Sequence, residues 1–298
     1  MASRQARGKT REQPLLDFSF GDGDAHAHRA LGKVRGVRLT GPYNALLAVG
    51  DRAARVQIEA NDAIRVSLSA TRPPSSMSAL EFTHDLPGNT RFALSGQDGR
   101  LFADTQLNGE LHMTETFGNI HAGLLTALGT PKKSRRRATP VTRELVQEAL
   151  ERMPWDEQSV VEQEDGWELR PRIEGEPTPV QMSMEPASLR FFRVVLRSLP
   201  GSEQNATGAV ADQALRFNSR LRHARLAVCD GQLVAEARLH GGLIDPAWLA
   251  TTAFAVAVAS RHVQTTLRIL AAQPEVAELY TVMFCSSGEQ SASEDARG

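Results

Sequence analysis

One cluster near the start of the chain carries residue types that bind metal ions. Asp22, Asp24, His26 and His28 alternate with glycine and alanine, and imidazole and carboxylate groups are ligands of divalent ions. No second cluster with a recognisable ligand spacing accompanies them. We therefore interpret the segment as a solvated lead-in to the first domain and predict no bound metal, with a site at His26 and His28 as the alternative.

A second set of reactive groups consists of four carboxylates around a predicted turn, Glu162, Glu164, Asp165 and Glu168. A general acid and base must converge in a cleft, whereas alternate positions beside a turn indicate a solvated sheet edge, where charge also discourages aggregation. The sequence contains no G-x-S-x-G elbow, no P-loop and no complete dinucleotide-binding glycine motif. We predict a protein with no catalytic residue and no cofactor.

The most basic stretch is Lys132–Arg137, in which five of six residues are basic. No aromatic residues interleave with it, and the whole chain has 34 basic and 35 acidic residues for a net charge of −1. A protein that coats nucleic acid usually has a clear basic excess. The stretch lies within residues 130–140, a polar segment with a proline near each end, and is typical of a linker.

The composition predicts two folded domains between polar ends. The chain has 298 residues, of which 41% are hydrophobic and 23% charged, the balance of a globular protein. Residues 1–16 and 285–298 are poor in apolar side chains and are predicted to be disordered. With the linker, these ends divide the chain into a first domain at 17–129 and a second at 141–284.

Cysteine content and apolar run length bear on where the protein works. The two cysteines, Cys229 and Cys285, are typical of a reducing compartment. The basic start is not followed by an apolar signal core. The most apolar run, Trp248–Val258, is too short to span a bilayer core of ~30 Å. We expect a cytoplasmic protein without a membrane span.

Hydrophobic periodicity gives both halves one order of elements. In the first half, period-two alternation predicts three or four antiparallel strands, then a short helix, an Asp98-Gly99 hairpin and a closing helix. In the second half, Thr139 caps an opening helix, and strands, a short helix, an Asp230-Gly231 hairpin and a long helix follow. The strands of the second half are expected around Ser159–Val161, Trp167–Ile173, Val180–Met184, Leu189–Leu196, Arg225–Val228 and Gln232–Leu239. The long helix is expected from Pro246, capped by Asp245, to Ala272.

The two hairpins also share residues without a gap. The aligned residues are Asp98, Gly99, Leu101, Ala103, Leu107, Gly109 and Leu111 with Asp230, Gly231, Leu233, Ala235, Leu239, Gly241 and Leu243. Upstream and in the same order, Ala79, Leu80, Phe82 and Leu86 match Ala214, Leu215, Phe217 and Leu221. Self-similarity counts only when it recurs in order, and here it does. The sequence predicts an α+β fold built as a tandem duplication of an antiparallel-sheet-plus-helices unit.

The second half resembles a known family. Asn218, Arg225, Asp230 and Gly231 lie in the order that is typical of the YbjN-like branch of the type III secretion chaperone-like superfamily. The resemblance is clearest over residues 140–275 and weaker in the first half, where Thr83 stands in the place of Asn218. It implies a scaffold that binds a protein or peptide partner, with the two halves imitating the dimer that such domains form.

The last helix is the element on which a partner site is predicted. Trp248, Phe254 and Val258 belong to a helix that is apolar around much of its circumference, which usually indicates burial. Core packing is the preferred interpretation, with a partner groove at these three residues as the functional one. The predicted function is therefore a non-enzymatic protein-binding or chaperone-like scaffold; the alternatives are a structural subunit of an assembly, and an enzyme with its site between the domains.

The linker assignment predicts the pattern of proteolysis. After the terminal segments, limited digestion with trypsin should cut first within Lys132–Arg137, because a solvated basic segment is accessible to the protease. Gel electrophoresis should then show two resistant fragments. Early cleavage inside either half, with Lys132–Arg137 intact, would place the domain boundary elsewhere.

Overall fold

The computed structural model describes eleven segments and one further residue of the chain. These are residues 31–58, 63–69, 75–86, 89–94, 101–108, 113–129, 140–155, 159–188, 191–198, 208–239, 244–273 and 275. The predicted arm at 1–16, the Asp22–His28 cluster, the Asp98-Gly99 turn, the tail at 285–298 and all but the last residue of the linker lie outside them. Within the described residues there are five helices and three antiparallel sheets, so the fold class is α+β as predicted.

The first half forms one six-stranded sheet and two helices. Its strands are β1 (Val37–Leu39), β2 (Asn44–Val49), β3 (Arg52–Ile58), β4 (Ala63–Ser69), β5 (Arg91–Leu94) and β6 (Leu101–Asn108). Its helices are α1 (Ser76–Asp85) and α2 (Met113–Ala127). The strand order is β1-β2-β3-β4-β6-β5, and every neighbouring pair is antiparallel. The first four strands agree with the period-two prediction, and β5 and β6 agree with the hairpin predicted at Asp98-Gly99.

The second half forms another six-stranded sheet, a small hairpin and three helices. Its strands are β7 (Val160–Gln163), β8 (Gly166–Leu169), β9 (Arg172–Ile173), β10 (Glu176–Pro177), β11 (Val180–Ser188), β12 (Phe191–Ser198), β13 (Arg225–Cys229) and β14 (Gln232–Leu239). Its helices are α3 (Arg143–Glu151), α4 (Gly208–Asn218) and α5 (Pro246–Ala272). The sheet order is β7-β8-β11-β12-β14-β13, again antiparallel throughout, and β9 pairs with β10 alone.

The two large sheets have the same strand order. When β9 and β10 are set aside, each sheet is built from four consecutive strands, a helix and a returning hairpin whose second strand inserts beside the fourth. Leu101, Leu233 and Leu239 are buried, as predicted for the two hairpins. The side chain of Leu107 lies outside the described set. Shared strand order is what a duplication requires; the duplication itself stays a prediction.

Two local predictions in the second half are wrong. The opening helix is capped by Thr142, whose hydroxyl accepts from the backbone N–H of Leu145 at 3.2 Å, so Thr139 is not its cap. The strand predicted over Trp167–Ile173 ends at Leu169, because the chain turns into the β9–β10 hairpin. Glu174 and Gly175 form its tip with φ of 53° and 84°, the positive values of a two-residue hairpin turn.

The last helix begins where the sequence predicted. The Asp245 carboxylate accepts from the backbone N–H of Trp248 at 3.0 Å, and Pro246 occupies the first turn, where its missing N–H costs no hydrogen bond. The helix packs on β12 and β14 of the second sheet. No helix in the described segments is both long and apolar enough to cross a membrane.

Candidate functional site

The three residues predicted to bind a partner lie in different environments. Trp248 is 7% exposed, and its ring meets His223 edge-on with the ring centroids 4.8 Å apart. Val258 is partly buried. Phe254 is 49% exposed, so the core interpretation is wrong for this residue, while Trp248 belongs to the core. Trp248 therefore fits the core interpretation of the last helix. Phe254, on an exposed side of the same helix, fits the interpretation as a partner site.

One face of α5 is open to solvent along the described part of the helix. Its described members recur at helical spacing and form what we call the α5 stripe: Ala247, Thr251, Phe254, Val258 and Ile269. All are exposed except the partly buried Val258. The opposite face carries Leu249, Ala253, Val256 and Ala257, all 0% exposed. From its first to its last residue the stripe spans about 33 Å at 1.5 Å per residue.

The two halves of the chain contact each other through one helix and one strand from each half, and these elements are equivalent in the two halves. Helix α1 packs against α4 and β13, and α4 packs against β5. Because α1 and β5 occupy the same places in the first half as α4 and β13 in the second, the contact has the form of an isologous dimer interface. A chain with this internal contact uses, within itself, the surface through which two copies would otherwise pair.

Two buried arginines make this contact reciprocal. Arg91 donates to the carbonyl oxygens of Ala224 at 3.0 Å and Leu221 at 2.6 Å. Arg225 donates to the carbonyl oxygens of Thr90 at 2.6 Å and Leu86 at 3.0 Å. Both arginines are 0% exposed. Each guanidinium therefore binds the backbone just before the equivalent arginine of the other half.

A second pair of equivalent residues supports the same elements. The Thr83 hydroxyl accepts from the backbone N–H of Phe92 at 3.0 Å, and the Asn218 side-chain oxygen accepts from that of Leu226 at 2.7 Å. Asn218 also donates across the interface to the carbonyl of Phe92 at 2.9 Å. Thr83 therefore has the same local role as Asn218, although the difference in residue type made it a departure in the sequence comparison.

Glu236 is the buried anion at the centre of the interface. Its Oε1 accepts from Arg225 Nε at 2.9 Å and Nη2 at 2.6 Å, and its Oε2 accepts from Arg197 Nε at 3.3 Å. Arg238 Nη2 lies 3.4 Å from Oε1. His84 Nδ1 lies 3.3 Å from Oε2 and 3.2 Å from Arg238 Nη2, so one tautomer donates to the carboxylate and the other accepts from Arg238.

These neighbours fix the ionisation state of Glu236. Burial acts to raise the pKa of its carboxyl, but the charge of Arg225, the hydrogen bond with His84 and the charge of Arg238 outweigh burial and hold the pKa well below its ordinary range. A carboxylate that stays ionised across the physiological range has no proton to donate. Glu236 therefore has a structural role: its carboxylate compensates the charges of buried arginines, which cannot be left unpaired inside a protein.

Sequence reasoning identified Arg225 but missed Arg91, Glu236 and Arg238. A usable signal was present, since Glu236 stands between Ala235 and Ala237 in a strand that is buried at every position after Gln232. A charged residue inside such a strand is almost never buried without a partner. Its main partner, Arg225, lies opposite it in the hairpin around Asp230-Gly231; what the sequence could not give is the contact of Arg225 with the first half, about 140 positions away.

The carboxylates around the turn of residues 164–165 form no acid–base pair. Glu162, Glu164 and Asp165 are exposed on the edge strand β7 and its turn, as predicted for a solvated edge. Glu168 on β8 binds Arg170 at 2.6 Å. In the segments that the structure describes, no group of three or more histidine, cysteine, aspartate or glutamate residues is placed to hold a metal ion; His26 and His28 lie outside them.

Comparison with known proteins assigns the chain to no family. No protein-family model matches the sequence, and no curated protein matches it.

The Glu236 cluster predicts a large cost for its neutralisation. Replacing Glu236 with Gln should lower the free energy of unfolding by about 3–5 kcal/mol, since Arg225 and Arg238 would stay buried without a counter-charge. Urea denaturation followed by circular dichroism measures this. Glu148→Gln is the control: Glu148 forms an exposed i,i+4 pair with Arg152, and its loss should cost less than about 1 kcal/mol. Equal effects of the two variants would contradict a structural role for Glu236.

His223 predicts a separate pH dependence. Burial first, and then the charges of Arg222 and Arg91, lower its pKa to about 4. The unfolded chain takes up this proton near pH 6.5, so stability should fall as the pH drops from about 6.5 to about 4, by up to about 3 kcal/mol. His223→Asn keeps a residue that tolerates the observed φ of 59° and should remove that component. Denaturation curves at pH 7.5, 6 and 5 that change in parallel for both proteins would contradict the assignment.

Proposed function

We propose that the chain is a non-enzymatic binding scaffold, chaperone-like or regulatory in action, that presents the α5 stripe to a helix of a protein partner. The observation that carries the proposal is Phe254, a large aromatic side chain 49% exposed in the middle of a 27-residue helix whose opposite face is buried. Aromatic residues are enriched at the centres of protein interfaces. An open aromatic residue on a rigid helix is therefore a suitable anchor for a partner.

The residues around Phe254 favour a helical occupant. Ala247, Thr251, Ala255 and Val258 are small, which allows a second helix to approach closely along the stripe, with Phe254 packing between its side chains. Strand addition is less favoured, because the open edge β7 is four residues long and carries Glu162 and Gln163 on its exposed end. Short, charged edges discourage pairing with another strand.

Charge indicates the composition of the partner. Helix α5 contains no acidic residue and three basic or titratable ones, Arg261, His262 and Arg268. A partner helix with an apolar face and acidic flanking residues complements this helix in both shape and sign, and complementary charge favours encounter and orientation. We therefore propose an acidic amphipathic helix as the occupant.

The interface between the halves supports the scaffold proposal. An internal contact between equivalent elements keeps the binding helix on a frame that needs no second copy. Catalysis between the halves is the weaker proposal, because the described groups there make structural hydrogen bonds to backbone carbonyls and to Glu236. A subunit of a larger assembly would use the same exposed stripe and differs from the scaffold only in the permanence of its partner.

We also propose that the protein works in the cytoplasm. Cys229 is a free thiol, and burial followed by the charge of Asp230 raises its pKa. A protonated thiol that forms no disulfide is typical of proteins in a reducing compartment.

The stripe is tested by substitutions that separate folding from binding. Phe254→Asp should leave the melting temperature within a few degrees of the original, because an exposed position does not bury the new charge. A fluorescent peptide that repeats Leu at helical spacing with Glu at the remaining positions should bind the native chain and bind the variant at least tenfold more weakly by anisotropy. Leu249→Asp, on the buried face, should unfold the protein.

Phe82 provides the matched control for this experiment. It is 55% exposed on α1, so Phe82→Asp makes the same chemical change away from α5 and should leave peptide binding intact. Equal loss of peptide binding in Phe82→Asp and Phe254→Asp would overturn the proposal. So would equal binding of a peptide that has Lys in place of Glu. A dimer in analytical ultracentrifugation that Phe254→Asp dissociates would overturn the assignment of the occupant, since the stripe would then bind a second copy.

A further inference from the structure

A cavity of about 540 Å³ opens at the end of the second sheet, beside the β9–β10 hairpin. It lies where β12 ends, where β11 begins, and where the β9–β10 hairpin meets the middle of α5. The described residues that line it are Pro177, Thr178, Pro179, Gln181, Arg197, Ser198, Ser260, Arg261 and Gln264. Its volume is within the range of sites for small molecules, ~300–1,000 Å³.

Buried hydroxyl groups fix one wall of the cavity. Ser198 is 5% exposed and Ser260 3% exposed. The Ser198 hydroxyl donates to the carbonyl of Pro179 at 2.9 Å, and its oxygen lies 3.1 Å from that of Ser260. These contacts join the segment before β11, the end of β12 and α5.

The charged residues of the lining are two arginines, whose carboxylate partners lie outside the lining. Arg197 and Arg261 are its two ionised residues, and none of the nine described lining residues is acidic. Arg197 is fixed by Glu185 at 2.8 Å and by Glu236 at 3.3 Å. Arg261 instead pairs with Glu176, which reaches it from outside the lining. The guanidinium of Arg261 is therefore the one that can exchange its carboxylate partner.

The pair between Arg261 and Glu176 is of a kind that an incoming anion can replace. The Glu176 side chain is 71% exposed, whereas that of Arg261 is 28% exposed. An ion pair with one partner so exposed adds little to stability. Glu176 belongs to a two-residue strand that pairs only with β9, so its carboxylate can leave without disturbing the large sheet.

We propose that this cavity binds a small organic carboxylate, whose carboxylate group takes the place of Glu176 on Arg261. Arginine suits this role because its planar fork matches a carboxylate with two parallel hydrogen bonds. Pro177 and Pro179 form the apolar side of the site for the body of the ligand, and Gln264 supplies an amide beside Arg261. The carboxylate already bound to Arg261 indicates the chemistry of the ligand that displaces it.

The proposal is tested with glutarate, which reproduces the carboxylate and aliphatic stem of the side chain it would displace. Isothermal titration calorimetry of the full chain at constant ionic strength should show binding of glutarate and none of the uncharged isostere glutaramide. Glu176→Gln should bind glutarate at least tenfold more tightly, because the internal competitor is gone. Arg261→Gln should show no binding, while its melting temperature stays close to that of the native chain.

Opposite effects of the two variants distinguish a ligand site from a structural ion pair. If the pair between Arg261 and Glu176 were purely structural, the affinity for glutarate would be unchanged in Glu176→Gln and in Arg261→Gln. Arg152→Gln is the matched control, since Arg152 makes an exposed pair on α3 and should not alter binding. No binding to Glu176→Gln, equal loss in Arg152→Gln, or tighter Arg261-dependent binding of inorganic phosphate than of glutarate would overturn the proposal.

Discussion

A buried guanidinium must have its donors satisfied, and in this protein each half supplies the acceptors for the arginine of the other. Arg225 is fully buried and binds Glu236 on its own sheet and backbone carbonyls of the first half. Arg91 makes the reverse contact. Desolvating these groups without acceptors would cost several kcal/mol each. The close packing of α1, β5, α4 and β13 brings these acceptors within reach of both arginines.

This constraint explains how the open face of α5 arises. Because equivalent elements of the two halves cover one another, the closing helix packs within its own half, on its sheet and on α3 and α4. It does so with one face, through residues such as Leu249 and Val256. The apolar residues on its other face have no sheet to cover. Core packing, the preferred interpretation of this helix from the sequence, therefore does not hold for Phe254.

Local rules recovered most of the fold from the sequence, because they depend on neighbouring residues. Period-two alternation found the strands, and the Asp-Pro pair at 245–246 gave the start of α5. The Asp230-Gly231 turn has φ of 52° and 76°, as its residues predict. The β9–β10 hairpin was missed because its strands are only two residues long. The contacts of Arg225 and His84 across the interface and the pocket at Arg261 were missed because they unite distant segments, and a single sequence carries no signal for such pairing.

Joining the two units in one chain also changes what substitution can do. In a symmetric homodimer every replacement appears twice across the axis, so neither surface can specialise. Here equivalent positions vary separately: Thr83 and Asn218 support the same turn with different side chains. Among the described segments, the β9–β10 hairpin occurs in one half alone. The frame therefore keeps its symmetry where the arginines need it, while the second half carries an added hairpin that lines the cavity at Arg261.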